Sequence, residues 1–204
     1  MSPKTAFSIF LFAFIRPRSF LRMFNLIDIY RLPGHISLED GLCLCEISNS
    51  MKDNSLVVEI GSYRGKSTGF ILRGLKNNCE LHCVDTWQNE GMSEGLTDTF
   101  QSFSENIGKI GAKIMPQIHR GYSWDVVKTW NRQIDFLFID GNHDYEAVKK
   151  DIGDWLGFVK KGGVVAFHDY TNPCGVKKAV DKAVLKRLLK KVKISGSVYV
   201  AQKI

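Results

Sequence analysis

From about residue 37 onward the chain alternates short apolar runs with helical patterns. Runs of strand length stand at 56–60, 81–84, 114–118, 134–139, 164–167 and 198–201. Most are continuous rather than alternating, which is the pattern of strands covered on both faces. Between them, residues 68–76, 100–110, 124–130, 145–159 and 176–192 repeat apolar positions at three- and four-residue steps, and these predict helices. Ser37 followed by Asp40 resembles a capping box and opens another helix through Leu42 and Ile47. Strand and helix in this order predict an α/β protein with a doubly wound, mainly parallel Rossmann-like sheet and helices on both faces. No repeat, low-complexity tract or linker divides residues 36–204, which are expected to form a single domain.

Residues 1–35 stand outside that pattern as an N-terminal extension. Phe7, Phe10, Leu11, Phe14, Phe20, Leu21, Phe24 and Ile27 recur at helical steps, with Arg16, Arg18 and Arg22 among them. This predicts an amphipathic helix broken near Pro17. The apolar run 6–15 is too short to span a bilayer, which takes roughly 20 residues, and the Arg-Pro-Arg after it is not a signal-peptide cleavage site. Two uses of the segment remain open: packing on its own domain or on a second subunit of a homo-oligomer, or lying in a membrane interface.

Composition changes little in this picture. In 204 residues, 44% are hydrophobic and 24% charged, as in soluble globular domains. The net charge of +7 is concentrated at Lys177, Lys178, Lys182, Lys186, Arg187, Lys190, Lys191 and Lys193, read as a solvated helix face or an anionic-surface contact. Cys43, Cys45, Cys79, Cys83 and Cys174 lack paired CxxC spacing, so they read as free thiols of a reducing cytoplasm.

The candidate chemistry lies just after the apolar runs, where open parallel sheets bind ligands. The first run leads into Gly61-Ser62-Tyr63-Arg64-Gly65-Lys66-Ser67, a turn that allows close backbone approach ahead of a helix N-terminus. It lacks the full GxGxxG and P-loop spacings. Asp85 ends the next run, twenty-four residues after Gly61, and is placed to accept from ribose hydroxyls of an adenosine-containing cofactor. Glu59 is a carboxylate inside a buried run and needs a donor, either from a ligand's ammonium or from a nearby loop. The later runs deliver Asp140-Gly141-Asn142-His143 and His168-Asp169 to the same crevice. A divalent cation on Asp140, His168 and Asp169, or general-base work by a histidine, would use them.

Together, VEIGSYRGKST, VDTW, FIDGNHDYEAVKKDIGDW and KKGGVVAFHDY resemble the class I S-adenosylmethionine-dependent methyltransferases, over about residues 36–170. The resemblance implies that Glu59, Gly61, Ser67 and Asp85 line the cofactor, with Ser62, Tyr63 and Gly65 in its loop. It also implies Trp87 near the adenine, Gly121 and Ser123 as further contacts, Asp140, His143, His168 and Asp169 at the acceptor, and Asp140 at the cofactor as well. Catechol-type relatives hold magnesium on a strand-four acid and an Asp-Asn pair. Here His168 takes the place of that Asp, which leaves the cation, Mg²⁺ or another, open, with His143 as the alternative proton acceptor. A small-molecule acceptor methylated on a hydroxyl, of sugar or glycolipid type, is expected, and no nucleic-acid partner. The expected location is cytoplasmic, peripheral at the inner membrane face if the N-terminal segment docks. The rival readings are an NAD-dependent oxidoreductase and a non-catalytic basic surface-binding protein.

Overall fold

A computed structural model describes residues 26–89, 95–172 and 175–204. Its elements are α1 (Ile27–Tyr30), α2 (Leu38–Ser50), β1 (Leu56–Ile60), α3 (Lys66–Gly74), β2 (Glu80–Asp85), α4 (Phe100–Lys109), β3 (Gln117–Arg120) and α5 (Ser123–Val126). There follow β4 (Ile134–Ile139), α6 (Tyr145–Trp155), β5 (Val159–Phe167), α7 (Gly175–Leu185), β6 (Leu189–Ser195) and β7 (Val198–Lys203). One seven-stranded sheet has the order β3-β2-β1-β4-β5-β7-β6. The first five strands are parallel, and β7 is antiparallel to both β5 and β6. The strand order reverses between β1 and β4, so the crevice for a ligand opens above those two strand ends.

The helices cover both faces, which is why the central strands are continuously apolar. All five residues of β1 are buried. On one face Leu44, Phe70, Ile71, Phe103 and Ile107 pack against Val57 and Phe136. On the other, Val148, Ile152, Trp155 and Val180 pack against Val58 and Leu137. The expected capping box at Ser37 and Asp40 is present. Of the residues placed in the N-terminal extension, Leu26 and Ile29 are buried in the first of these cores. Residues 1–25, with most of the predicted amphipathic pattern, lie outside the described residues, as does Cys174. Among the described residues no helix is long and apolar enough to cross a membrane.

Three expectations need correction. The helix expected over 176–192 ends at Leu185, and Leu189–Ser195 pairs instead with β7. Ladder hydrogen bonds to β7 and burial of Leu189 outweigh a helical pattern in Lys- and Leu-rich sequence. The cationic stretch is therefore no single helix face: Lys177, Lys178 and Lys182 lie on α7, and Lys190, Lys191 and Lys193 on edge strand β6. The strand expected at 114–118 runs from Gln117 to Arg120. Pro116 has no N–H for the ladder, and Met115 is 70% exposed. The helix expected at 124–130 is one turn, Ser123–Val126, followed by a 3₁₀ turn, Val127–Thr129.

Candidate active site

A cavity of about 940 Å³ opens at the carboxyl ends of β1, β2 and β4. Its floor is the β1–α3 turn. Gly61 has φ +85°, and a Cβ there would run into the Asp140 carbonyl oxygen, so the turn sits as close to β4 as backbone permits. Gly65, also at φ +85°, adopts the left-handed conformation at the N-cap of α3. Ser62, Tyr63 and Ser67 line the cavity with Gly61.

Asp85 holds this turn in place. Its Oδ2 accepts from the N–H groups of Ser62 at 2.7 Å and Tyr63 at 2.8 Å, and Oδ1 from that of Trp87 at 2.6 Å. A carboxylate offers about four acceptor positions, so one remains for a ligand hydroxyl. Glu59 lies beneath the turn and does not line the cavity. Its Oε2 accepts from Thr68 Oγ1 at 2.5 Å, Ser62 Oγ at 2.8 Å and Cys83 Sγ at 3.4 Å. Of the two donors open in the sequence, the structure contains the loop. Burial pushes the Glu59 carboxyl up to about 7, with the Ser67, Thr68 and Ser62 hydroxyls opposing. Its Oε1 has no hydrogen-bond partner among the described residues.

Trp87, expected near the adenine, does not line the cavity. It is fully buried and packs edge-on to Phe100 and Phe103, with ring centroids 5.1 Å away in each case. The left-handed backbone at Trp87, φ +54°, turns the indole into the core, where burial of so large a ring is most favourable.

At the ends of β4 and β5, acids and histidines converge. His143 Nε2 is 3.6 Å from Asp140 Oδ1, and its Nδ1 is 3.4 Å from Asp169 Oδ2. The Asp140 carboxylate beside it raises the His143 pKa against the opposing effect of burial. His168 is 5% exposed, with Nδ1 3.0 Å from Asp140 Oδ1 and 3.5 Å from Asp169 Oδ2. Its Nε2 is 3.5 Å from Asp40 Oδ2, at ion-pair distance. Burial alone would lower the His168 pKa, but Asp140, Asp169 and Asp40 together push it up to about 12. Asp169 sits at φ +55°, a strained backbone for a non-glycine residue, and accepts from Asn172 Nδ2 at 2.6 Å.

The expected cation trio is corrected accordingly. Both nitrogens of His168 face carboxylates, and an imidazolium has no lone pair for a metal. Asp140, His143 and Asp169 instead bring one ligand atom each within 4.8 Å of one another. Two carboxylates and an imidazole suit a divalent cation such as Mg²⁺ or Mn²⁺.

Several contributors were not singled out from sequence. Asp40, read there only as a cap, reaches His168 and accepts from Ser197 N at 2.7 Å. His35 and Tyr63 stack at 5.9 Å on one wall of the cavity. Ser123, expected at the cofactor, lines the cavity and donates from Oγ to Asp151 Oδ1 at 2.5 Å. Asp151 stands within a motif quoted above, but only its pairing with Ser123 reveals that it reaches the cavity.

Comparison with known proteins gives one family match and several relatives in fold. The model of a family described as "Methyltransferase domain" matches residues 58–170. An uncharacterized protein of Acanthamoeba polyphaga mimivirus is 32% identical over 127 residues, covering 58% of this chain and 53% of that protein. The chain thus spans about half the length of this relative. In structure, the chain is similar to an O-methyltransferase from Bacillus cereus in complex with SAH, with TM-score 0.64 and 16% identity, over 88% of this chain and 90% of that one. It is also similar to the O-methyltransferase TomG from Streptomyces achromogenes in complex with SAM, with TM-score 0.63 and 15% identity, over 83% and 81%. At these identities the likeness is one of fold.

Proposed function

The chain belongs to the methyltransferase-domain family, and we propose that it transfers the methyl group of S-adenosylmethionine to a hydroxyl of a small acceptor, of sugar or glycolipid type. The observation that carries this reading is the convergence of Asp140, His143 and Asp169 beside the Gly61–Gly65 turn, in one cavity. The turn fits the amino-acid end of the cofactor: it allows close backbone approach and stands over the α3 N-terminus, and the remaining acceptor position of Asp85 fits a ribose hydroxyl. When bound, the cofactor supplies an electrophilic sulfonium methyl.

Methyl transfer is an in-line displacement, so the chain's tasks are to align the acceptor oxygen and to make loss of its proton less costly. Asp140, His143 and Asp169 are the residues proposed to hold a divalent cation there, and the cation's charge would favour the deprotonated acceptor. Without a cation, His143 is the group placed to take the proton. His168 belongs to neither role. It holds the Asp140 and Asp169 carboxylates in place from behind.

Isothermal titration with S-adenosylmethionine and S-adenosylhomocysteine, followed by labelled methyl transfer to a panel of hydroxylated acceptors, tests the reading. Micromolar binding and label on an acceptor oxygen are expected. Absence of binding by either compound would refute it.

A further inference from the structure

At the mouth of the cavity, α6 and α7 gather cations for which the methyl-transfer centre has no use. α6 opens directly after Asn142, His143 and Asp144, which line the cavity, and its third residue, Ala147, lines it too. α7 starts at Gly175, so close to α6 that a Cβ there would collide with the Tyr145 backbone nitrogen. That approach sets the first turns of the two helices side by side.

Three ammonium groups then converge on one ring. Lys178 and Lys182 of α7 stand 4.6 and 4.7 Å from the Tyr145 ring centroid, and Lys149 of α6 stands 5.6 Å from it. Lys182 Nζ also donates to Tyr145 Oη at 2.8 Å. All three lysines are exposed. Lys149 is paired with Glu146 at 2.8 Å. Neither Lys178 nor Lys182 has an ion pair among the described residues, whereas the adjacent Lys177 is paired with Asp181 at 2.7 Å. Lys178 and Lys182 are one helical turn apart, a like-charge spacing that disfavours the helix. The face of the tyrosine ring attracts each cation but does not remove their mutual repulsion. An anion seated among them would.

The arrangement also indicates which anion. Three separate point charges suit the several oxygens of a phosphate, which lysines bind without the planar fork of an arginine. The Asp140 and Asp169 carboxylates stand at the inner end of the cavity and the lysines at its rim, so a molecule with a phosphate at one end enters hydroxyl first.

We propose that Lys149, Lys178 and Lys182, gathered around Tyr145, bind a phosphate group of the acceptor, so that the hydroxyl methylated belongs to a phosphorylated sugar. This rests on the methyl-transfer reading above and names the acceptor's class.

Isothermal titration of the full chain with glucose 1-phosphate, inorganic pyrophosphate and glucose tests the site without turnover. Both phosphates should bind, and glucose should not. The double variant Lys178→Ala, Lys182→Ala should weaken both phosphates at least about tenfold. Lys52→Ala with Lys161→Ala removes two exposed lysines beside the amino ends of β1 and β5 and should change neither affinity. In labelled methyl transfer to matched sugars and sugar phosphates, the wild type should favour the phosphorylated members about tenfold in kcat/KM, and the α7 double variant should lose that preference. Absence of phosphate binding, equal weakening by the two double variants, or no preference for phosphorylated acceptors would overturn the proposal. So would pelleting with phosphatidylglycerol vesicles that depends on Lys178 and Lys182 while neither phosphate binds, since the patch would then be a membrane contact. Failure of a wild type that binds both phosphates to bind S-adenosylhomocysteine would overturn the methyl-transfer reading instead.

Discussion

His168 Nδ1 lies 3.0 Å from Asp140 Oδ1, and on the opposite side of the same ring Nε2 faces Asp40 Oδ2 at 3.5 Å. The ring thereby links the end of β4 to the first turn of α2, and through Asp40 to the β6–β7 turn at Ser197. One buried cation offsets three carboxylates, Asp40, Asp140 and Asp169, from three separate stretches of chain.

Removing that cation should be severe. His168→Ala leaves the buried Asp40 and the half-buried Asp140 and Asp169 carboxylates without their cation, and loss of one partner of a buried ion pair costs about 3–5 kcal/mol. Urea unfolding is expected to show a loss of this order, together with loss of methyl transfer. Asp40→Asn should destabilise less, since Asp140 and Asp169 still hold the ring. Wild-type stability in His168→Ala would show that the imidazolium is dispensable.

Glu59 sets a pH dependence of stability. Its folded-state pKa is raised from 4.5 to about 7, so between these values the folded state binds more protons than the unfolded one. The contribution is fully present below pH 4.5 and is lost as pH rises through 7. A shift of this size corresponds to about 3 kcal/mol at most, at 1.36 kcal/mol per unit. Glu59→Gln should flatten the stability profile across pH 4.5–7 and narrow the gap to wild type at pH 8. Parallel profiles from chemical denaturation would rule out Glu59 as the titrating group.

The cation reading is open to direct measurement. Mn²⁺ titration followed by electron paramagnetic resonance should give one site, weakened at least about tenfold in Asp169→Asn and in His143→Ala. A chelator should lower turnover, and added Mn²⁺ or Mg²⁺ should restore it. Turnover indifferent to chelation, with no Mn²⁺ site, would leave His143 as the proton acceptor.

The arginine-bearing apolar pattern of residues 7–27 is proposed to dock on an anionic membrane surface. Liposome co-sedimentation compares the full chain with a version lacking residues 1–24. The deletion stops there because Leu26 and Ile29 are core residues. Salt-sensitive pelleting of the full chain alone is expected, since attraction amounts to roughly 1 kcal/mol per cation near the surface. Equal, negligible pelleting of both would eliminate docking.

Features governed by neighbours in sequence were legible without a structure. The buried runs of β1 and β4, the glycine turn at Gly61–Gly65, the Ser37–Asp40 cap and the acids at the ends of β2, β4 and β5 depend on local backbone geometry and on the two-sided cover of a parallel sheet. Which side chain meets which was decided by the tertiary structure. His168 and His143 each stand next to an acid in sequence, yet only His168 is enclosed by a third carboxylate, Asp40, from a distant helix. That enclosure keeps it charged and leaves His143 as the imidazole of the proposed cation site. Trp87 follows a cofactor-like acid, but the turn of the backbone there and the space beside Phe100 and Phe103 draw it into the core. Ser123 and Asp151 are 28 residues apart and meet only because α5 and α6 cover the same face of the sheet. Residues 189–192 read as the end of a helix because charge and leucine content favour one in isolation. Their strand state comes from the open edge of β7, since ladder hydrogen bonds require a partner that local sequence does not contain.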